Sequence, residues 1–455
     1  MTTTAALRPL PCRKGVLIGL RESLAYLRDP DGFIAERAAE FGPVFGTTLF
    51  FRPTAVVGGP AAVEEFMARE RVIAESSLPA SFQTLHTPYG ALNQSGDRHR
   101  ATRAGYQPLF MSSALESYLP VLNRSLTSFT DQIAREGCTF IARDGKTLCL
   151  NMFAELFAGE ALSPAEVEAF ITYNNALLSL SPWLPSFRRG MKALKDLRDG
   201  MRRRLERFQR GELTSACFAV FAANRAERDL PWSAERIATA TILMIWGAYI
   251  EVASLMAHAL LLSEGKPEVR ERILAEASQR GLADRASGGT LAQWDLPYAA
   301  GVVRESLRLI PPAGGGFRMA SEDVAIAGFR IPAGTVITAD PRIGNRIPAL
   351  FPEPEVFQPE RWVKPRGSAS RCPFAGSAAL LPKGAWFPGG IGVHGCPGIP
   401  LAELCGRMFL VRWMQTIQSW RKPEGSAQAV PSTLVPIKIP TDAFQLLVEA
   451  ADRPS

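Results

Sequence analysis

Trp386-Phe387-Pro388-Gly389-Gly390-Ile391-Gly392-Val393-His394-Gly395-Cys396-Pro397-Gly398 sets one cysteine among five glycines, just ahead of a helix-forming run at about 400–419. Glycines let a backbone lie flat against a large planar ligand and turn its amides towards a sulfur. A thiolate aimed at a metal needs a lowered pKa, which a helix N-terminus and nearby amide dipoles supply. A cysteine in a glycine-rich loop can equally be an inert thiol, so the rest of the chain has to decide between the two.

The chain has 455 residues, 47% hydrophobic and 21% charged, enough apolar material for a sizeable core and unlike a disordered composition. Its charge of +7 comes from 51 basic and 44 acidic residues spread along the chain. No basic tail or stripe points to nucleic acid, and a mildly basic surface suits docking of an acidic electron-transfer protein. The cysteines, Cys12, Cys138, Cys149, Cys217, Cys372, Cys396 and Cys405, are odd in number and form no CxxC pair. That argues against a disulfide framework or a structural zinc site and fits a reducing cytoplasm. Residues 1–19 have neither a signal peptide nor a stop-transfer pattern, so no membrane anchor is expected. The apolar run 237–262 is long enough to cross a bilayer, but Glu251 and His258 interrupt it, and it reads as a long helix inside a globular core.

Along the chain, an amphipathic helix at about 32–40 precedes two strand-like runs, 44–51 and 55–57, separated at Arg52-Pro53. From about 60 to 309 the apolar spacing is mainly helical. After Pro311-Pro312 come short alternating segments, 323–329 and 335–339, with Gly and Pro turns; residues 365–383 read as loop, and a last helix spans about 400–419. In Val303-Arg304-Glu305-Ser306-Leu307-Arg308-Leu309-Ile310-Pro311-Pro312, Glu305 and Arg308 stand three apart on one helix face and can pair. On a solvated helix such a pair contributes only a few tenths of a kcal/mol. In Ser95-Gly96-Asp97-Arg98-His99-Arg100-Ala101-Thr102-Arg103, His99 and Arg103 lie one turn apart and can reach the same anion.

Together these segments resemble the cytochrome P450 superfamily. The family's haem loop, Gly-x-(His or Arg)-x-Cys-x-Gly, is matched by Gly392, His394, Cys396 and Gly398, and Phe357-Gln358-Pro359-Glu360-Arg361-Trp362 resembles its Pro-Glu-Arg-Phe segment. The resemblance implies a mainly α fold with a minor β lobe, a single interlocked domain over 1–455, with the β-rich lobe at about 40–60 and 315–345 and the haem-thiolate loop at 386–398. It implies haem b as cofactor, Cys396 as the metal ligand and Gly398 beside it. His99, Arg103, Arg318 and His394 are then donors to the haem propionates, and Glu305, Arg308 and Arg361 a buried structural triad. One departure stands out. The family's Phe sits seven residues before the Cys, where this chain has Gly389; Phe387 lies nine before and is the residue the resemblance places against the haem. An insertion of two residues or a reshaped loop follows, and with it an altered redox potential.

The family's long central helix carries Ala/Gly-Gly-x-Asp/Glu-Thr, whose acid and alcohol deliver protons during oxygen activation. Here the segment is Trp246-Gly247-Ala248-Tyr249-Ile250-Glu251-Val252-Ala253-Ser254. Counted from Gly247-Ala248, Ile250 replaces the acid and Glu251 the threonine; slipped by one, Glu251 is the acid and Val252 stands in the alcohol's place. In either register the threonine is missing, and Glu251 is the candidate acid/base, its pKa raised by apolar surroundings. By the same resemblance the substrate pocket includes Phe82 and Leu85 in the 82–92 loop, Tyr249, the Ala313-Gly314-Gly315-Gly316 run, whose glycines leave space above the iron, and the strand region 433–439. The expected activity is oxidation of an apolar small molecule, most simply monooxygenation, with electrons from a separate ferredoxin or flavodoxin, in the setting of secondary metabolism. The alternatives are a peroxide-using peroxygenase, a non-oxidative haem isomerase or dehydratase with Glu251 as acid/base, and a non-catalytic haem-binding or sensor protein.

Overall fold

The computed structural model describes residues 7–73, 75–177, 179, 183–223, 232–363, 381–425, 430–433 and 437–452. Cys372 and most of the expected 365–383 loop lie outside them. At the centre runs the helix Ala234–Ser263, 30 residues long, or about 45 Å at 1.5 Å per residue. Ser233 starts it, its hydroxyl accepting from the Arg236 amide. A helix apolar on nearly every side is stable only when wrapped, and this one is wrapped by the helices Ile141–Ala158, Pro185–Gln209, Pro297–Leu309 and Ile399–Thr416. Its apolar stretch is accordingly a core element, mostly buried inside the fold.

Proline sets many of the helix starts. It opens the helices Pro30–Phe41, Pro60–Ala68, Pro164–Ala176, Pro185–Gln209, Pro267–Gln279 and Pro297–Leu309, positions where the missing N–H costs nothing and the fixed φ already suits the helix. The helix expected at 32–40 is thus the longer Pro30–Phe41, capped by Asp29 through the Gly32 amide. Another helix, Ile18–Arg28, precedes it.

The β-rich lobe is a five-stranded sheet joining distant parts of the chain. Val44–Leu49 and Arg52–Val57 form a hairpin; Arg52–Val57 runs parallel to Val336–Ala339, which pairs with Phe317–Met319, and that strand with Glu75–Ser76. The hairpin turn falls at Phe50-Phe51, both at positive φ (53° and 61°), and not at Arg52-Pro53 as the sequence implied. Pro53 sits inside a strand, opposite Thr48. The segment expected at 323–329 is one strand, Val324–Ile326, and a turn leading into a second, Phe329–Ile331. The last helix ends at Thr416 and passes directly into the strand Ile417–Arg421, which pairs with Leu446–Ala450.

Candidate active site

Cys396 lies at the foot of the helix Ile399–Thr416. The Gly398 amide donates to its Sγ at 3.3 Å, and its own amide donates to the Gly389 carbonyl at 2.7 Å. Burial pushes the thiol pKa up, and Glu251 adds to this, while the amides of Gly398 and Ile399 and the charge of Arg103 pull it down. Although close to the loop and helix-end amides, the residue keeps accessible surface. A metal cation at that point would favour the thiolate, which the helix-end amides already solvate.

Gly389, in the place of the family's Phe, presses against the cysteine. A Cβ there would come within 3.0 Å of the Cys396 Cβ and 2.6 Å of the Ile399 side chain. No side chain fits, and Ile399 takes up the room. Phe387 points elsewhere, buried in the sheet-side core with Val63, Ile337 and Ala339. The loop is reshaped, and the expected placement of Phe387 against the haem is corrected: it packs the β lobe. Ile399 and Phe110, which approaches the Gly398 position, are the residues beside the sulfur that the motif comparison missed.

Facing Cys396 is the central helix. At about 100° per residue, Met244, Gly247, Ala248 and Glu251 share one side, and all four keep accessible surface where their neighbours Ile245, Tyr249 and Val252 are buried. A Cβ on Gly247 would meet nothing within 4 Å. Glu251 stands one turn beyond Gly247, the spacing of the first register, with Glu251 in the threonine's place and Ile250 in the acid's. Its Oε2 is buried with no hydrogen-bond partner among the described residues, and burial raises its pKa from 4.5 to about 8. Ile250 flanks this side, about 100° away. Tyr249 does not belong to it. It points to the far side of the helix, 1% exposed in the main core, so its placement in the pocket is withdrawn: one residue of register is more than a quarter turn.

Four basic side chains converge at the rim. Arg318 Nη2 contacts His394 Nδ1 at 2.9 Å, the rings of His394 and His99 lie 3.9 Å apart, and Arg103 donates to the Gly395 carbonyl. Burial, then the neighbouring positive charges, lowers His394 to about 3 and His99 to about 4. Burial lowers Arg318 to about 10 and also lowers Arg103. Among the described residues no carboxylate forms an ion pair with any of them. Such a group is costly unless an anion completes it. An enclosed sulfur, a helix face left open at Gly247 opposite it and a rim with two arginines outside any ion pair among the described residues fit an iron porphyrin with its propionates, held by Cys396, His99, Arg103, Arg318 and His394.

The glycine run after Pro312 behaves differently from expectation. A Cβ at Gly314 would strike the Arg342 guanidinium at 2.5 Å, and one at Gly315, where φ is +98°, the Ala339 carbonyl at 2.3 Å. These two glycines permit close packing on the strand Val336–Ala339 and leave no open room; only Gly316 has nothing nearby. Ala313 is half-buried against the main core. Phe82 stacks on His86, with ring centroids 4.4 Å apart, and His86 in turn meets Trp246 of the central helix at 4.5 Å, whereas Leu85 is fully buried, facing the helix Pro185–Gln209 at Gly190. In the 433–439 region, residues 434–436 are outside the described set, and Ser432–Thr433 pairs with Ile439–Pro440.

Glu305 and Arg308 form a double hydrogen bond, both contacts 2.8 Å, and neither is exposed. Arg361 Nε adds a contact to Glu305 at 2.9 Å. Trp362 Nε1, at 2.7 Å, and the Gln358 amide, at 3.0 Å, also donate to this carboxylate; neither was expected from the motif. Glu305→Gln leaves two arginines without their charge partner, and the expected loss of stability is about 3–5 kcal/mol. Chemical unfolding followed by tryptophan fluorescence measures it, and a loss below about 1 kcal/mol would contradict a buried charge triad.

Comparison with known proteins agrees with this geometry. A family model described as cytochrome P450 matches residues 15–441. A putative cytochrome P450 120 from Synechocystis is 28% identical over 90% of both chains. Mouse cytochrome P450 26B1 is 26% identical over 96% of this chain and 86% of that one. The solved structure of retinoic acid bound cyanobacterial CYP120A1 superposes with a TM-score of 0.84, at 26% identity, covering 98% of this chain and 100% of that one. The chain thus belongs to the cytochrome P450 family, as a monooxygenase-type oxidoreductase that binds haem b through a cysteine thiolate.

Proposed function

We propose that this protein inserts oxygen into an extended apolar small molecule, using electrons from a separate ferredoxin or flavodoxin, with Cys396 as the thiolate ligand and Glu251 as the proton-handling group. A haem with a thiolate ligand supplies oxygen activation, favoured by the electron density the sulfur donates. The chain's own residues do the rest. His99, Arg103, Arg318 and His394 hold the propionates by charge-assisted hydrogen bonds. Gly247 and Ala248 leave the helix face open, and Ile250 lines its flank. Glu251 holds a proton at neutral pH, because its burial puts the pKa at about 8, and can release it from the partnerless Oε2.

That partnerless carboxyl, on the same face as Gly247 and opposite Cys396, is the observation that carries the reading. For the substrate class, support comes from the apolar surroundings of Met244, Phe82 and Ala313, and from the apolar acid bound in the similar cyanobacterial structure. An external donor fits the basic charge balance, and the scattered cysteines fit a cytoplasmic enzyme. We read the whole chain as one interlocked unit, since Arg8–Pro9 pairs with Phe329–Ile331 and Cys138–Thr139 with Leu446–Ala450. A role in secondary metabolism is part of the same proposal.

The missing threonine and the reshaped loop favour a second reading, in which hydrogen peroxide replaces dioxygen and reductant, or a rearrangement or dehydration proceeds with Glu251 as acid/base. Turnover of apolar acids and terpenoids by the haem-loaded protein separates the two. Oxygenated product is expected with reductant, a ferredoxin or flavodoxin system and dioxygen. Product formed at the same rate with peroxide alone, or an isomer formed with no oxidant, would assign the second reading instead.

A further inference from the structure

Glu70 lies just beyond the helix Pro60–Ala68, in the β lobe, yet its carboxylate reaches the thiolate loop 323 residues away and accepts from the Val393 amide at 2.6 Å. The carboxylate occupies the space where a side chain at position 392 would stand. A Cβ on Gly392 would lie 1.9 Å from Glu70 Oε1, at a backbone φ of +72°. Glycine is needed there both for that conformation and to admit Glu70. The Val393 amide opens the turn Gly392–His394, and the Gly395 amide closes it on the Gly392 carbonyl at 3.0 Å. That turn sets the position of His394, and Cys396 follows two residues later. Arg318, which contacts His394, also feels the charge of Glu70.

We propose that Glu70 is a positioning residue for the haem-thiolate loop: it latches the turn before Cys396 to the β lobe, and its negative charge moderates the cationic rim. Gly389 supplies no side chain to hold the sulfur side, and Phe387 is committed to the β-lobe core. An acceptor arriving from outside the loop fixes a turn that packing leaves unsupported. Groups that orient a metal ligand change metal-site properties on the order of 10-fold or more when removed, and Glu70 acts on Cys396 through the turn it holds.

The test uses the full-length, haem-loaded protein as Glu70→Gln and Glu70→Ala. Glu70→Gln keeps an acceptor near Val393 but loses the charge. It is expected to retain the red-shifted Soret band of the reduced carbon monoxide complex while the iron's reduction potential rises, since a nearby negative charge opposes reduction. Glu70→Ala loses both latch and charge. It is expected to exchange the Val393 amide hydrogen faster, to lose part of the red-shifted band and to release haem on the order of 10-fold faster. Should Glu70→Ala fail to fold, the potential of Glu70→Gln decides alone. Unchanged potential in Glu70→Gln, or a lower melting temperature in Glu70→Ala with band and haem release unaltered, would overturn the proposal and leave Glu70 a surface contact.

Discussion

Cys396→Ala is expected to abolish the red-shifted Soret band of the reduced carbon monoxide complex and to bring substrate oxidation to background. The helix-end amides and Arg103 that favour the Cys396 thiolate have nothing to act on in the variant. Cys149, Cys217 and Cys405 are buried in the core, and burial holds their thiols protonated. The propionate donors His99, Arg103, Arg318 and His394 are untouched, so some haem is retained without its axial sulfur. Absorption spectra of the two proteins, loaded alike, decide the matter. A red-shifted band surviving in Cys396→Ala would end the thiolate assignment.

Glu251→Gln comes next in size. Removing a positioned proton donor typically costs 10²–10⁴-fold in rate, and the chain neighbours Ile250 and Val252 carry no hydroxyl to take over. A fall of about 10²-fold in kcat with little change in KM is expected, because the amide fills the same space but transfers no proton. The pH dependence has a defined sign. With the folded pKa raised to about 8 from 4.5, the protonated carboxyl is present at neutral pH and lost as pH rises through about 8, so a step needing the acid slows there. The same shift stabilises the fold fully below about pH 4.5, and that contribution is lost progressively up to about pH 8. Glu251→Gln should show neither the alkaline limb nor that slope. Steady-state kinetics and thermal melts from pH 5 to 9 check both, and an unchanged kcat would remove Glu251 from the proton path.

Several features could be read from residues close together in sequence. The pairing of Glu305 with Arg308 follows from a three-residue spacing, the core character of 237–262 from an apolar run that Glu251 and His258 interrupt, and the β lobe from the change of texture after Pro311-Pro312. The two arginines and two histidines at the rim follow from short motifs, and the structure brings all four together. Where the reading failed, a small local difference had a large spatial consequence. The Phe50-Phe51 turn required positive φ in two residues that rarely adopt it, so Arg52-Pro53 looked the better break. Gly314 and Gly315 were read as room above the iron, but a glycine also serves where another chain segment comes close, and composition does not separate the two cases.

By itself, then, the sequence determined the candidate groups, and their resemblance to the family's motifs assigned the ligand: a cysteine before a helix, an acid in an apolar helix, a carboxylate and an arginine on one face, each defined by neighbours a few residues away. Only the tertiary structure decided which side of the central helix meets Cys396, that Ile399 fills the place of an absent Phe, and that Glu70 holds a turn 323 residues distant. The reason is geometric. Covalent spacing fixes direction within one helical turn, but a single residue rotates a side chain by about 100°, and which segments meet across the core depends on the packing of the whole chain.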